Sequence, residues 1–66
     1  MKVGDLIRMK RAEKRLRQSD VEKTGGLSYG SLAGLERENS NPTVSTLKKV
    51  AKGLDCHLII TFVENN

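Results

Sequence analysis

Leu16 to Pro42 reads LRQSDVEKTGGLSYGSLAGLERENSNP, and the placing of its glutamine, glycines, leucines and Glu-Arg pair decides the architecture. Gln18 opens a short helical pattern that runs to Thr24, with Ser19 and Asp20 in the first turn, where side-chain oxygens and negative charge suit the exposed amides. Val21 is its inward anchor. Gly25 and Gly26 stop it, because glycine tolerates the left-handed geometry that ends a helix, and Leu27 drops into the core at the turn. Ser28 starts a second helix, continuing through Tyr29, Leu32, Leu35 and Glu36 to about Glu38, with Leu32 and Leu35 as its buried edge. Asn39, Ser40, Asn41 and Pro42 are loop formers, and the proline biases Asn41 away from helix. The unit is a pair of helices joined by a tight turn.

On the amino-terminal side, Val3 to Lys14 reads as a helix with Val3, Leu6, Ile7 and either Met9 or Leu16 inward and a basic outer face. On the other side Thr43 caps a fourth helix in which Val44, Leu47, Val50 and Ala51 recur at helical spacing. Gly53 ends it and Leu54 closes the core. His57 to Val63, HLIITFV, is β-branched and apolar on both alternating faces, which is strand chemistry. A lone strand leaves its backbone unpaired, so the expected partner is the same strand of another subunit about a twofold axis, carried by Leu58, Ile60 and Phe62. The expected fold is mainly α, with four helices and one C-terminal β-strand. Residues 1–55 form the helical domain and residues 56–66 the dimerisation strand and short tail.

A chain of 66 residues is one small domain whose single core is marginal alone, which also favours a dimer. With one Tyr, one Phe and no Trp, that core must be aliphatic, and no large aromatic pocket is available. The 12 Lys and Arg outnumber the 8 Asp and Glu, and Lys2, Arg8, Lys10, Arg11, Lys14, Arg15 and Arg17 crowd into the first quarter. A polyanion is the partner this implies; the alternative is a merely solvated helix face. A single cysteine, Cys56, excludes an internal disulfide and a zinc framework and fits a reducing cytoplasm. Cys56 and His57 lack the further ligands, base or orienting acid that a metal or catalytic site needs, so neither an enzyme nor a cofactor is expected. No apolar run reaches signal-peptide or membrane length, which implies a cytoplasmic protein.

Val3 to Leu54, about four fifths of the chain, resembles the Cro/repressor-type helix-turn-helix family, also called the xenobiotic response element family. The matching residues are Ile7 and Arg11, LRQ at Leu16 to Gln18, GLS at Gly26 to Ser28, LER at Leu35 to Arg37, and NPTVSTL at Asn41 to Leu47. The resemblance implies that Gln18, with Arg17 beside it, meets a DNA phosphate, that the third helix enters the major groove, and that the loop with Asn39 and Asn41 touches the backbone. It also implies an ion pair between Arg11 and Glu36. The groove-facing positions it implies are Ser28, Tyr29, Gly30, Ser31, Ala33, Gly34 and Arg37. Lys10, Arg15, Glu22 and Gly25 depart from the family pattern, which has apolar, glycine, alanine and apolar residues there. Glu22, wedged between helices, needs either a slightly rotated second helix or satisfaction by a nearby Lys or Tyr29.

The third helix carries none of the Arg, Gln or Asn side chains that normally discriminate bases at its centre. Tyr29, the hydroxyls of Ser28 and Ser31, a methyl contact from Ala33 and close approach at Gly30 and Gly34 remain, with DNA shape supplying much of the selection. The alternative for Gly30 and Gly34 is a close helix–helix contact. The expected function is a homodimeric repressor on a palindromic operator, acting either alone or as an antitoxin that also binds a toxin protein. The competing class is an interaction module whose strand and tail, Glu64-Asn65-Asn66, dock a partner with little DNA binding.

Overall fold

The computed structural model describes residues 2–65, in which four helices follow one another: α1 (Val3–Glu13), α2 (Gln18–Gly25), α3 (Ser31–Leu35) and α4 (Val44–Gly53). Acidic side chains three residues into α1 and α2 start both helices. The Asp5 carboxylate accepts from the Lys2 amide at 3.4 Å and Asp20 from the Arg17 amide at 2.8 Å, each adding negative charge at the positive end of the helix. Thr43 starts α4 through its hydroxyl oxygen, which accepts from the Thr46 amide at 3.1 Å.

The helix ends are less uniform. Only Gly26 leaves α2 in the left-handed region, at φ 73°, while Gly25 remains helical. A β-carbon on Gly25 would strike the carbonyl oxygen of Lys49, and one on Gly53 would strike that of Val21. Each helix therefore contributes a glycine against the other's backbone, and α2 and α4 interlock. The chain leaves α1 through Arg15 and α4 through Asp55, both left-handed at φ 57° and 55°. Neither is glycine, but the turns are closed by the Leu16 amide on the Arg11 carbonyl and the Cys56 amide on the Ala51 carbonyl. Lys14 joins the two ends: its Nζ donates to the Leu54 carbonyl at 2.6 Å and the Asp55 carbonyl at 3.2 Å.

Ile7, Val21, Leu32, Val50 and Leu54 form the buried core, with Val3, Leu16, Leu27, Leu35, Leu47 and Cys56 packed against it. Val21 and Leu32 are completely enclosed, worth about 2 kcal/mol apiece as buried aliphatic side chains. Leu6, Met9 and Val44, expected inside, are each about half exposed.

Two expectations are overturned. The strand over His57–Val63 is absent: the described residues after Asp55 form no ladder, and Ile59, Phe62 and Val63 are almost fully exposed. Among the described residues the regular structure is all helix. β-branched residues favour strand geometry but supply no partner, and a ladder needs a second strand that is absent among the described residues. Asn66, part of the tail expected to dock a partner, lies outside the described residues. The third helix is also shorter than expected and starts later. Gly30 takes φ 83°, so Ser28, Tyr29 and Gly30 form a turn and α3 begins at Ser31. Ser28 takes part through its carbonyl, which accepts from the Ser31 amide at 3.1 Å and the Ser31 hydroxyl at 2.7 Å, and not as a hydroxyl cap.

Candidate nucleic-acid interface

Three helices meet at the Glu36 carboxylate. Arg11 of α1 binds it with two parallel bonds, Nε to Oε2 at 2.7 Å and Nη2 to Oε1 at 3.1 Å, while Gln18 of α2 donates its Nε2 to Oε1 at 3.2 Å. The remaining guanidinium nitrogen, Nη1, donates to the Leu16 carbonyl at 3.0 Å. Glu36 is buried and Arg11 partly buried, and the forked pairing holds the guanidinium above its ordinary pKa despite the opposing effect of burial. The network fixes the entrance of α2 against the exit of α3. Gln18 is thereby held with one amide hydrogen engaged and a second available to another acceptor.

Glu22 occupies the other end of α3. It is buried, and its Oε2 accepts from the Leu32 backbone amide at 2.9 Å. The partner is thus neither a lysine nor Tyr29, the two that sequence reasoning considered, but one of the amides that a helix start leaves without an internal acceptor. Among the described residues no buried side-chain nitrogen or oxygen lacks a partner. The sequence signal was a carboxylate ten residues before an amide in the next helix; nothing in spacing alone could have named the acceptor's target.

The outer face of this unit is open. Tyr29 is 93% exposed, and a β-carbon at Gly30 or Gly34 would meet nothing within 4 Å. The two glycines therefore make no helix–helix contact, which removes that alternative. Ala33, Arg37, Asn39 and Asn41 are exposed along the same stretch, and Ser31 is half-buried with its hydroxyl proton committed to Ser28. Arg17, Gln18 and Ser19 line a cleft with Tyr29 and Gly30, so the start of α2 and the turn before α3 share one surface. Arg17 pairs with Asp20, whose carboxyl is held below its ordinary range first by the Arg17 backbone amide and then by the guanidinium.

The basic run of the first quarter is more internally engaged than its sequence implies. Lys2 pairs with Glu38, Arg8 with Asp5, Lys10 with Glu13 and Arg11 with Glu36, and Lys14 binds the end of α4. Apart from the Arg11–Glu36 pair these contacts are largely exposed, contribute little and leave the net positive field of the chain in place. Among the described residues no cluster of His, Cys, Asp or Glu is arranged to hold a metal. No helix is long and apolar enough to cross a membrane.

The helix-turn-helix family profile matches residues 7–60. The immunity repressor protein of Bacillus phage phi105 is 41% identical over 54 residues, which are 82% of this chain and 38% of that protein. An uncharacterised HTH-type transcriptional regulator of Sinorhizobium fredii, y4dJ, is 44% identical over 52 residues, 79% of this chain and 68% of that one. The chain thus spans well under half of the phage repressor. Among solved structures, the wild-type restriction-modification controller protein C.Esp1396I superposes with a TM-score of 0.75 at 31% identity, over 83% of this chain and 71% of that one. The same controller bound to a 19 base pair DNA duplex superposes with a TM-score of 0.75, over 83% and 73% of the two chains. With the profile spanning most of the chain and the controller superposing on its helices, this protein belongs to the Cro/repressor-type helix-turn-helix family of DNA-binding transcription regulators.

Proposed function

We propose that the chain represses transcription by binding a palindromic operator as a homodimer, in the cytoplasm, with the turn Ser28–Gly30 and the outer face of α3 in the major groove. The observation that carries this reading is the unfilled outer face: Tyr29, Gly30, Ala33 and Gly34 project into open space, while Leu32 and Glu36 behind them are buried. A backbone with so little side chain on one side can come close to the base edges. Ser28, Tyr29, Ser31 and Arg37 supply the polar groups for the groove. Arg17 and Gln18 meet a phosphate at the start of α2, where the helix end itself favours an anion, and Asn39 and Asn41 meet the backbone on the far side.

The second copy also has a surface to cover. Leu58, Ile60 and Phe62 follow a shallow apolar groove lined by Val3, Leu6, Leu47 and Leu54, and Phe62 is entirely exposed. In this reading a second chain covers these side chains by packing, without a ladder, and sets the two reading surfaces about 34 Å apart. The test is selection from a random duplex library at moderate salt, alongside sedimentation of the free protein. A palindrome with half-sites one turn apart and a dimeric species are expected. Recovery of no motif overturns the repressor reading in favour of an interaction module. A monomeric free protein overturns the homodimer and assigns the apolar tail to another protein, such as the toxin of a toxin–antitoxin pair.

A further inference from the structure

Glu22 is the charged side chain that the DNA-facing reading leaves unused, and its position is unusual for an acid. It lies on the inner side of α2, nearly enclosed, and spans to the next helix to accept from the Leu32 amide. Leu32 is the completely buried residue of α3, so this amide cannot turn to water without moving the helix that carries it. The same carboxylate borders the cleft formed by Arg17, Gln18, Ser19, Tyr29 and Gly30. It therefore sits directly behind the turn that presents Tyr29.

We propose that Glu22 is a positioning residue for sequence recognition: by anchoring the first turn of α3 through the Leu32 amide, it sets where the helix begins and hence how the Ser28–Gly30 turn faces the base edges. α3 is short, and its own sequence does little to define its start. Gly30 adopts a left-handed conformation with open space around it, and the Ser31 amide is held only by the carbonyl of Ser28 within the same turn. The bond from Glu22 is the tie between the beginning of α3 and a different helix. Glu36 performs the corresponding task at the other end, through Arg11 and Gln18. With both ends fixed, the reading surface has one orientation; with the first released, the turn can rotate about Gly30 while the core stays packed. A small residue at this position would leave the start of α3 to be set by other contacts.

This inference rests on the proposed reading of DNA, and the test separates the two. Glu22→Ala removes the acceptor; Glu22→Gln keeps an acceptor oxygen of the same reach while removing the charge. Both are measured at a temperature where circular dichroism shows each variant fully folded, on the operator selected by the wild-type chain and on an unrelated duplex. Amide exchange at Leu32 is followed by NMR without DNA. Glu22→Ala is expected to lose about tenfold or more in the ratio of specific to non-specific affinity with its non-specific binding unchanged, Glu22→Gln to stay within about threefold, and Leu32 to exchange faster only in the alanine variant. A purely structural role would lower both affinities together or neither. The inference is overturned if folded Glu22→Ala keeps the wild-type ratio, if Glu22→Gln loses as much as Glu22→Ala, or if the wild-type Leu32 amide is as unprotected as one in an open turn. A wild-type chain that prefers no sequence overturns the DNA reading itself, and Leu32 exchange then still reports whether the anchor exists.

Discussion

The two sides of α3 are built on opposite rules. The inner side is fully specified: Leu32 is enclosed, Glu22 holds one end of the helix and Glu36, bound by Arg11 and Gln18, holds the other. The outer side is almost bare, with glycine at two positions that meet nothing and one exposed tyrosine. Five helical residues cannot hold themselves in place in water. Their orientation is supplied from behind, so the front can be reduced to backbone and small groups without loss of shape. In the proposed reading affinity and stability rest on different atoms, and substitutions can tell them apart.

The largest effect belongs to the inner side. Glu36→Ala leaves the Arg11 guanidinium half-enclosed without its acceptor and should cost about 3 kcal/mol, measured by urea unfolding. A domain of this size has only about 3–5 kcal/mol to lose, so a substantial unfolded population is expected at room temperature. Arg11→Ala should cost a similar amount and the double variant much less than the sum; additive effects would show that the two residues act separately. On the outer side the sign reverses. Gly34→Ala adds a methyl group to open space in a helix and should stabilise the fold by about 1 kcal/mol, raising Tm by about 4–8 °C, while weakening operator binding. An alanine variant that binds at least as tightly would remove this face from the groove. The smallest effect lies at the rim, where Asp20 caps α2. Its folded pKa is lowered, so its contribution is complete above the unfolded value near 4 and is lost as pH falls through the folded one. In a pH series, Asp20→Asn should lower stability slightly at neutral pH, where the contribution is complete, and leave the most acidic end nearly unchanged, so that the acid limb of the curve flattens.

The same contrast explains what could be read from the sequence. The helices α1, α2 and α4 were legible because their apolar spacing, the Thr43 cap and the glycines at the ends of α2 and α4 are local signals. Arg15 was less so: a left-handed position occupied by arginine carries no mark of its conformation, and only its departure from the family's glycine drew notice. The start of α3 was misplaced because Ser28 looks like a cap, whereas Gly30, two residues before the completely buried Leu32, breaks the helix and makes Ser28 part of a turn. The strand was misread for a different reason. His57 to Val63 has the composition of a strand, but pairing is a property of two segments, and composition reports one. In the candidate interface, the family pattern named the Arg11–Glu36 pair that the structure contains, but not the half-burial of Ser31 nor the bond from Glu22; the target of Glu22 is a main-chain amide, which has no letter in the sequence.

Lys14 gives the fold a property beyond its static contacts. Its ammonium group holds the carbonyls of Leu54 and Asp55, a closure between groups 40 and 41 residues apart that ties the end of the first helix to the end of the last. A contact of such long sequence separation carries a large closure entropy and is expected to form late in folding. Lys14→Met should therefore speed unfolding in a stopped-flow denaturant series while leaving the folding arm almost unchanged; a slower folding arm would place the contact in the nucleus instead. In kinetic terms the lysine acts as a latch, governing how long the folded chain persists more than how quickly it forms.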